Sequence, residues 1–265
     1  MLGYIFFPIR LLLLLAWMSG GLLTVVTVFP WLGLRPRHWL IRNWSRVLMA
    51  CCGVKIRCRG EPVREGAVLW VANHVSWIDI FVLDSVRAVS FIAKSDVRKW
   101  PLIGWLVAGA GTLFIERGRR HAVRAVGQQM IKCFNRGEAV GLFPEGTTSL
   151  GLDVAPFHTS LFEPALRAGV DVQPVALLFL HRGQRSTRYA FVGDQNLAHN
   201  IWNLLTVTGT VVELVFCPVA SAAECSELGR VGVAENSRRQ IREIVAGTVH
   251  AAPGTCAQPA GSAAE

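Results

Sequence analysis

Acidic side chains are scarce in this chain: 18 Asp and Glu stand against 27 Lys and Arg over 265 residues, a formal net charge of +9. A surplus of that sign suits anionic partners such as lipid headgroups, nucleic acid or phosphorylated small molecules, and does not choose among them. Charge of either sign is missing altogether from Leu11 to Leu34. Nucleic-acid binding leaves that apolar stretch without a purpose and is set aside. Paired cysteine motifs are lacking too. The seven cysteines (Cys51, Cys52, Cys58, Cys133, Cys217, Cys225 and Cys256) are odd in number and hold no CxxC spacing matched by a second pair. Zinc and disulfide frameworks are therefore unsupported, and the cysteines read as free thiols of a reducing compartment. No internal repeat is visible.

What is there begins with the run LLLLLAWMSGGLLTVVTVFPWLGL from Leu11 to Leu34. As a helix rising about 1.5 Å per residue it is long enough to cross a hydrocarbon core of about 30 Å. Gly20, Gly21 and Pro30 are places where it can break, so a re-entrant or interfacial hairpin stands beside a full span. Arg10 precedes the run, whereas Arg35, Arg37, Arg42, Arg46, Lys55, Arg57, Arg59 and Arg64 follow it. The positive-inside rule then places the rest of the chain on the cytoplasmic face of its membrane, the inner membrane in a bacterium. A cleaved signal peptide fits poorly, because the run is long, no A-x-A-like site follows and the basic block comes directly after it. From His38 to Met49, apolar and basic residues alternate at helical spacing. That pattern is either an amphipathic helix on an anionic membrane surface, with Trp39 and Trp44 at headgroup depth, or a core-packed helix with a solvated basic face.

Downstream, short apolar runs alternate with helical patterns. Strands are expected at Ala67–Ala72, Val89–Ala93, Thr112–Ile115, Ala139–Phe143, Val172–Phe179, Tyr189–Val192 and Val211–Phe216. Helices are expected at Trp77–Val86, His121–Phe134 and Leu161–Ala168. The alternation argues for an α/β fold, a central mostly parallel or mixed sheet flanked by helices, with an N-terminal hydrophobic membrane segment. The expected organisation is that membrane segment over 1–34, a basic amphipathic membrane-surface helix and linker over 35–66, the α/β domain over 67–250, and a disordered Ala/Gly/Pro/Ser-rich tail over 251–265.

Four segments lie at or just past strand ends, where α/β sheets place their sites. In Asn73-His74-Val75-Ser76-Trp77-Ile78-Asp79, a strand-end His precedes an Asp in the first turn of the next helix. A carboxylate bonded to Nδ1 fixes the tautomer and leaves Nε2 as a general base for an alcohol proton; a buried His satisfied by a neighbouring carboxylate gives the same pattern. In GTLFIER, a strand runs out to Arg117, which can hold a phosphate bidentately or simply begin a basic surface run. In FPEGTTS, Gly146 permits close backbone approach, and its N–H with Thr147 can hold a phosphate, or the segment is an ordinary turn. In VQPVA, Pro174 within an apolar run suggests an edge strand or a strand beginning near the site.

In this order and at these separations, NHVSWID, GTLFIER, FPEGT and VQPVA resemble the blocks of the glycerolipid acyltransferase family, the 1-acylglycerol-3-phosphate acyltransferases and their relatives. The resemblance runs from about Ala67 to Phe216. It implies transfer of a fatty acyl group from acyl-CoA or acyl-carrier protein, as co-substrate, to the free hydroxyl of 1-acyl-sn-glycerol-3-phosphate, giving phosphatidic acid; lyso-ornithine lipid or another lysolipid is the alternative acceptor. A non-catalytic membrane-binding protein on the same fold is the rival from another class, and the intact His74 and Asp79 speak against it. By the same resemblance His74 is the base and Asp79 its orienting partner, with no acyl-enzyme, no cofactor and no metal. Arg117, Gly146 and Thr147 would bind the acceptor's phosphate. Glu145 would serve acceptor binding or the shape of the turn, and Pro174 the acyl-chain side. The chain departs from the pattern at Ala155-Pro156-Phe157-His158, where His158 stands in the place of a frequent Lys. A neutral imidazole holds phosphate less strongly than an ammonium, which leaves the acceptor headgroup open.

Overall fold

The computed structural model describes residues 2–99, 103–116, 120–193 and 195–247. The expected tail over 251–265 lies outside them, as does Arg117. Eight strands form one mixed sheet in the order β1 (Val54–Arg59), β8 (Thr210–Phe216), β6 (Asp171–His181), β2 (Val68–Ala72), β5 (Ala139–Leu142), β3 (Val89–Lys94), β4 (Leu113–Ile115), with the short β7 (Gln184–Arg185) on the end of β6. From β6 to β4 all strands run parallel, while β8 is antiparallel to β6 and carries β1 parallel to itself.

Alternation along each strand feeds two cores, as the pleat requires. Val68, Trp70 and Ala72 of β2 face the layer built by α1 (Leu2–Thr27), α2 (Leu34–Cys51), α3 (Asp79–Asp84) and α7 (Leu197–Thr206). Leu69 and Val71 face the opposite layer of α5 (Arg120–Asn135), α6 (Glu163–Ala168) and α8 (Ala222–Val245). With both faces covered, β2, β5 and β8 are buried at every residue. This is why β2 and β5 read as continuous apolar runs, while β8 buries one charged residue, Glu213, paired with Arg59 Nε at 2.7 Å.

Three local expectations are corrected. Residues 54–59, expected as linker, form β1, whose alternating Lys55 and Arg57 are exposed as befits a sheet edge. Tyr189–Val192 is not a strand: Tyr189 is buried and accepts a hydrogen bond from Thr210 Oγ1 at 2.8 Å, and Phe191 N–H donates to Val75 O at 2.9 Å. Strand β6 is interior, not an edge. Pro174 falls between the Val172–Ala220 bridge and the β6–β8 ladder that begins at Val175–Phe216, so no ladder bond needs its missing N–H, while its carbonyl accepts from Cys217 N–H at 2.9 Å.

Helix α1 is the one described helix long and apolar enough to cross a membrane, by length and composition. It is nonetheless fastened to the domain along its length. Phe7 meets Trp202 of α7 with ring centroids 4.1 Å apart, and Arg10 donates to Leu205 O and Val207 O at 3.0 and 2.6 Å. Farther on, the indoles of Trp17 and Trp44 each donate to the other's backbone carbonyl, at 3.1 and 3.3 Å. Near its end Val25 packs against Gly109 of α4 (Ile103–Gly109), where a Cβ would approach it to 2.3 Å. The opposite face exposes Leu12, Leu15, Leu23 and Val26.

Candidate active site

Strand β2 ends at Ala72, and Asn73 continues its pairing by side chain. Its Oδ1 accepts from Leu177 N–H at 2.7 Å and its Nδ2 donates to Leu177 O at 3.1 Å. The chain then turns around the carboxylate of Asp79. Oδ2 accepts from Val75 N–H at 2.7 Å, from Ser76 N–H at 2.9 Å and from His74 Nδ1 at 2.7 Å. The carboxylate is fully buried, and its Oδ1 has no partner among the described residues. Three donors converge on one oxygen, and an acceptor facing Nδ1 requires the Nδ1–H tautomer. Nε2 is thereby left with its lone pair, on a ring whose side chain is 21% exposed. The ring lies flat on Phe143, with centroids 4.2 Å apart and planes 16° from parallel, and Phe143 stacks in turn on Phe91 at 5.5 Å.

The segment after β5 holds the backbone of His74. Glu145 Oε1 accepts from His74 N–H at 2.8 Å, and Oε2 accepts from Ala155 N–H at 2.9 Å. Ser149 N–H donates to His74 O at 2.8 Å, with its hydroxyl on the same oxygen at 3.2 Å. Burial pushes the Glu145 carboxyl above the usual range, and the two N–H donors pull against that shift. Of the two roles left open for Glu145, these hydrogen bonds belong to the shaping of the turn. Gly146 N–H donates to Phe143 O at 3.1 Å, closing the turn at φ 72°. Thr147 is exposed at the rim with no hydrogen bond among the described residues. The imidazole of His158 lies over this turn, 3.1 Å from where a Cβ on Gly146 would sit. His74, Asp79, Glu145, Gly146, Thr147 and His158 therefore meet at the carboxyl ends of β2 and β5, and β4, which leads to Arg117, points to the same edge.

Behind the stacked rings a cavity of about 310 Å³ opens between the sheet and the first four helices. Its walls include Trp17, Gly21 and Val25 of α1, Ile41 and Trp44 of α2, Ile80 and Phe81 of α3, Val107 of α4, and Val89 and Phe91 of β3. Phe91 thus borders both the cavity and the column of rings under His74. Pro174, expected on the acyl-chain side, is not among the lining residues. Sequence reasoning missed Phe143, Phe91, Ser149 and the whole cavity wall. Only the position of Phe143 and Ser149 within FPEGTTS was a signal; the wall comes from elements remote in sequence. Among the described residues no group of His, Cys, Asp and Glu has a metal-holding arrangement.

Comparison with known proteins agrees with this geometry. Residues 55–178 match the model of the Acyltransferase family. A lyso-ornithine lipid O-acyltransferase of Pseudomonas aeruginosa is 36% identical over 251 residues, covering 91% of this chain and 95% of that protein. A 1-acyl-sn-glycerol-3-phosphate acyltransferase of Neisseria gonorrhoeae is 35% identical over 189 residues, 71% of this chain and 73% of that one. Among solved structures, the 1-acyl-sn-glycerophosphate (LPA) acyltransferase PlsC from Thermotoga maritima superposes with a TM-score of 0.63 over 90% of this chain and 95% of that chain, at 21% identity, which speaks for the fold alone. With relatives this similar over most of its length, the chain belongs to the glycerolipid acyltransferase family and is an O-acyltransferase.

Proposed function

We propose that the chain moves a fatty acyl group from acyl-CoA or acyl-carrier protein to the free hydroxyl of 1-acyl-sn-glycerol-3-phosphate, with His74 as base. The observation that carries this reading is the His74–Asp79 pair, 2.7 Å apart, at the carboxyl end of β2 and with the imidazole side chain 21% exposed. His74 Nε2 takes the acceptor's hydroxyl proton as its oxygen attacks the thioester carbonyl. The tetrahedral intermediate expels the thiolate, which receives that proton from the imidazolium. Asp79 stabilises the imidazolium meanwhile and keeps the ring oriented. The thiolate leaves readily, so the mechanism asks for a placed base and no more. Arg117 and Thr147 serve the phosphate of the acceptor, and the cavity behind Phe91 takes an acyl chain; its size lies at the lower end for a ligand site.

A specific observation favours lyso-ornithine lipid as a second acceptor. Relatives of that name match the greater share of this chain, Gly146 N–H is closed into its turn, and His158 stands by the turn where a cation is frequent. Helix α1 lies in one leaflet in this reading. Its anchors at Arg10, Trp17 and Val25 hold one face against the domain, while Leu12, Leu15 and Leu23 meet lipid and the exposed Trp31, Trp39 and Trp105 sit at headgroup depth. The basic residues after α1 support the cytoplasmic face as the side of the active site.

Acyl transfer by the full chain, with each donor against each acceptor and His74→Ala alongside, tests these statements together. Phosphatidic acid formed by the wild type and lost in the variant is the expected result. Product from lyso-ornithine lipid alone moves the acceptor, and near-wild-type turnover by His74→Ala refutes the base.

A further inference from the structure

The cavity is apolar except at one place away from the active site. Helix α3 leads from Asp79 to Asp84, about 7 Å farther along its axis, and β3 runs back from Val89 toward the site edge. At the far end Asp84 and Ser45 both line the cavity. Ser45 is 1% exposed, and its hydroxyl has no hydrogen-bond partner among the described residues. Asp84 is 3% exposed; Oδ1 accepts from Val89 N–H at 2.9 Å, its one hydrogen bond among the described residues. Several other polar groups on the wall are satisfied internally. Thr24 donates to Gly20 O, Asn43 to Trp39 O, and the two indoles to each other's carbonyls. A buried hydroxyl without a partner is costly, and Ser45 with none and Asp84 with a single bond, both bordering one cavity, mark a place where a ligand's polar atom is wanted.

We propose that Ser45 and Asp84 form a hydrogen-bonding station at the deep end of the acyl cavity, which selects acyl chains carrying a hydroxyl group at a matching distance from the reacting end. The proposal rests on the reading of the cavity as an acyl-chain site. A hydroxyl suits both partners. It donates to Ser45 Oγ or the free carboxyl oxygen and accepts from the Ser45 hydroxyl. Burial pushes the Asp84 carboxyl well above its usual range, which favours the protonated form, able to donate as well. An unsubstituted chain of the same length places a methylene there and leaves both groups unpaired. The hydroxylated chain enters either as the donor's acyl group or as the chain already on the lysolipid.

The test offers the full-length enzyme equimolar mixtures of unsubstituted and monohydroxylated acyl-CoA of one length. The hydroxyl position is scanned along the chain, and product ratios are read by mass spectrometry. A second series puts the hydroxyl on the lysolipid's chain instead. One position in one series should be preferred about threefold to tenfold, the worth of one or two net hydrogen bonds. Ser45→Ala, which favours the helix and leaves Asp84 in place, should lower that ratio toward one. Quenching of Trp17 and Trp44, which line the cavity, by the matching free hydroxy fatty acid reads the same preference without turnover. A preference in quenching with no product from any chain retains the station and refutes the acyl-transfer reading. Normal turnover with ratios near one at every position, or a ratio unchanged by Ser45→Ala, overturns the station.

Discussion

Replacing Asp79 by Asn removes one charge from the site and almost no volume. The wild-type carboxylate accepts three N–H groups on Oδ2, from Val75, Ser76 and His74. An Asn whose carbonyl takes that place still accepts all three, so the loop and the Nδ1–H tautomer survive. What is lost is the attraction between the carboxylate and the imidazolium that forms when Nε2 takes the proton. At an effective dielectric of about 20 and a charge separation of about 4 Å this is roughly 4 kcal/mol, equivalent to about 10³ in rate. An Asn turned the other way points its NH₂ at three donors and forces the wrong tautomer, so the loss is then greater. Steady-state kinetics should show kcat reduced about a thousandfold with KM nearly unchanged, since the carboxylate is buried away from bound lipid. Because Asp79 acts through His74, adding Asp79→Asn to His74→Ala should lower the residual rate no further. A loss below tenfold, with folding verified by circular dichroism, would refute the assignment of Asp79 as stabiliser of the imidazolium. Multiplicative losses in the double variant would mean that Asp79 acts on the reaction independently.

Glu145→Gln leaves either His74 N–H or Ala155 N–H facing an amide NH₂; thermal unfolding should show a loss of about 1.5–3 kcal/mol, and kcat should fall more than KM rises. Asp84 has its carboxyl raised well above 3.8 by burial, so the folded protein holds that proton more tightly than the unfolded chain. Its contribution to stability is therefore full below about pH 3.8 and declines as pH rises toward the folded value. In melting curves across pH, Asp84→Asn should gain on the wild type from about pH 4 upward, and a difference that is flat or of opposite sign contradicts a neutral buried carboxyl. A Cβ on Gly21 would lie 2.5 Å from Trp44 Nε1, so Gly21→Ala must move the indole; a shift of donor preference toward shorter chains is expected in a chain-length series, and an unchanged profile argues that the cavity does not hold the reacting chain.

Much of the sheet was legible because its strands are buried on both faces, so β2 and β5 announced themselves as unbroken apolar runs and Val211–Phe216 of β8 as one broken only by Glu213. Strand β1 did not, since an edge strand carrying Lys55 and Arg57 reads as a continuation of the basic segment before it. Tyr189–Val192 misled for the converse reason. Its apolar residues are buried by packing under the site loop, Tyr189 with His181 and Thr210 and Phe191 through Val75, and the backbone there does not join the ladder. The His74–Asp79 pair was legible because both groups sit within one turn, so local spacing fixes their meeting. The roles of Glu145 and Gly146 were not, because they depend on which way a carboxylate and an N–H point. Here both point into the backbone.

The same contrast explains why α1 resisted interpretation from composition. A run without charge records only that the surroundings are apolar; lipid on all sides and lipid on one side leave the same signature. Arg10 is the discriminating residue. In a freely spanning helix its guanidinium would have to reach for the membrane surface, whereas here it donates to Leu205 O and Val207 O at the end of α7. That bond fixes which face of α1 turns inward, and with it the placement of Trp17, Gly21 and Val25 on the cavity wall. Anchor and acyl-chain wall are then one element. If the cavity takes the acyl chain as proposed, that chain reaches Phe91, and the rings stacked beneath His74, along the same helix that is proposed to meet the lipid.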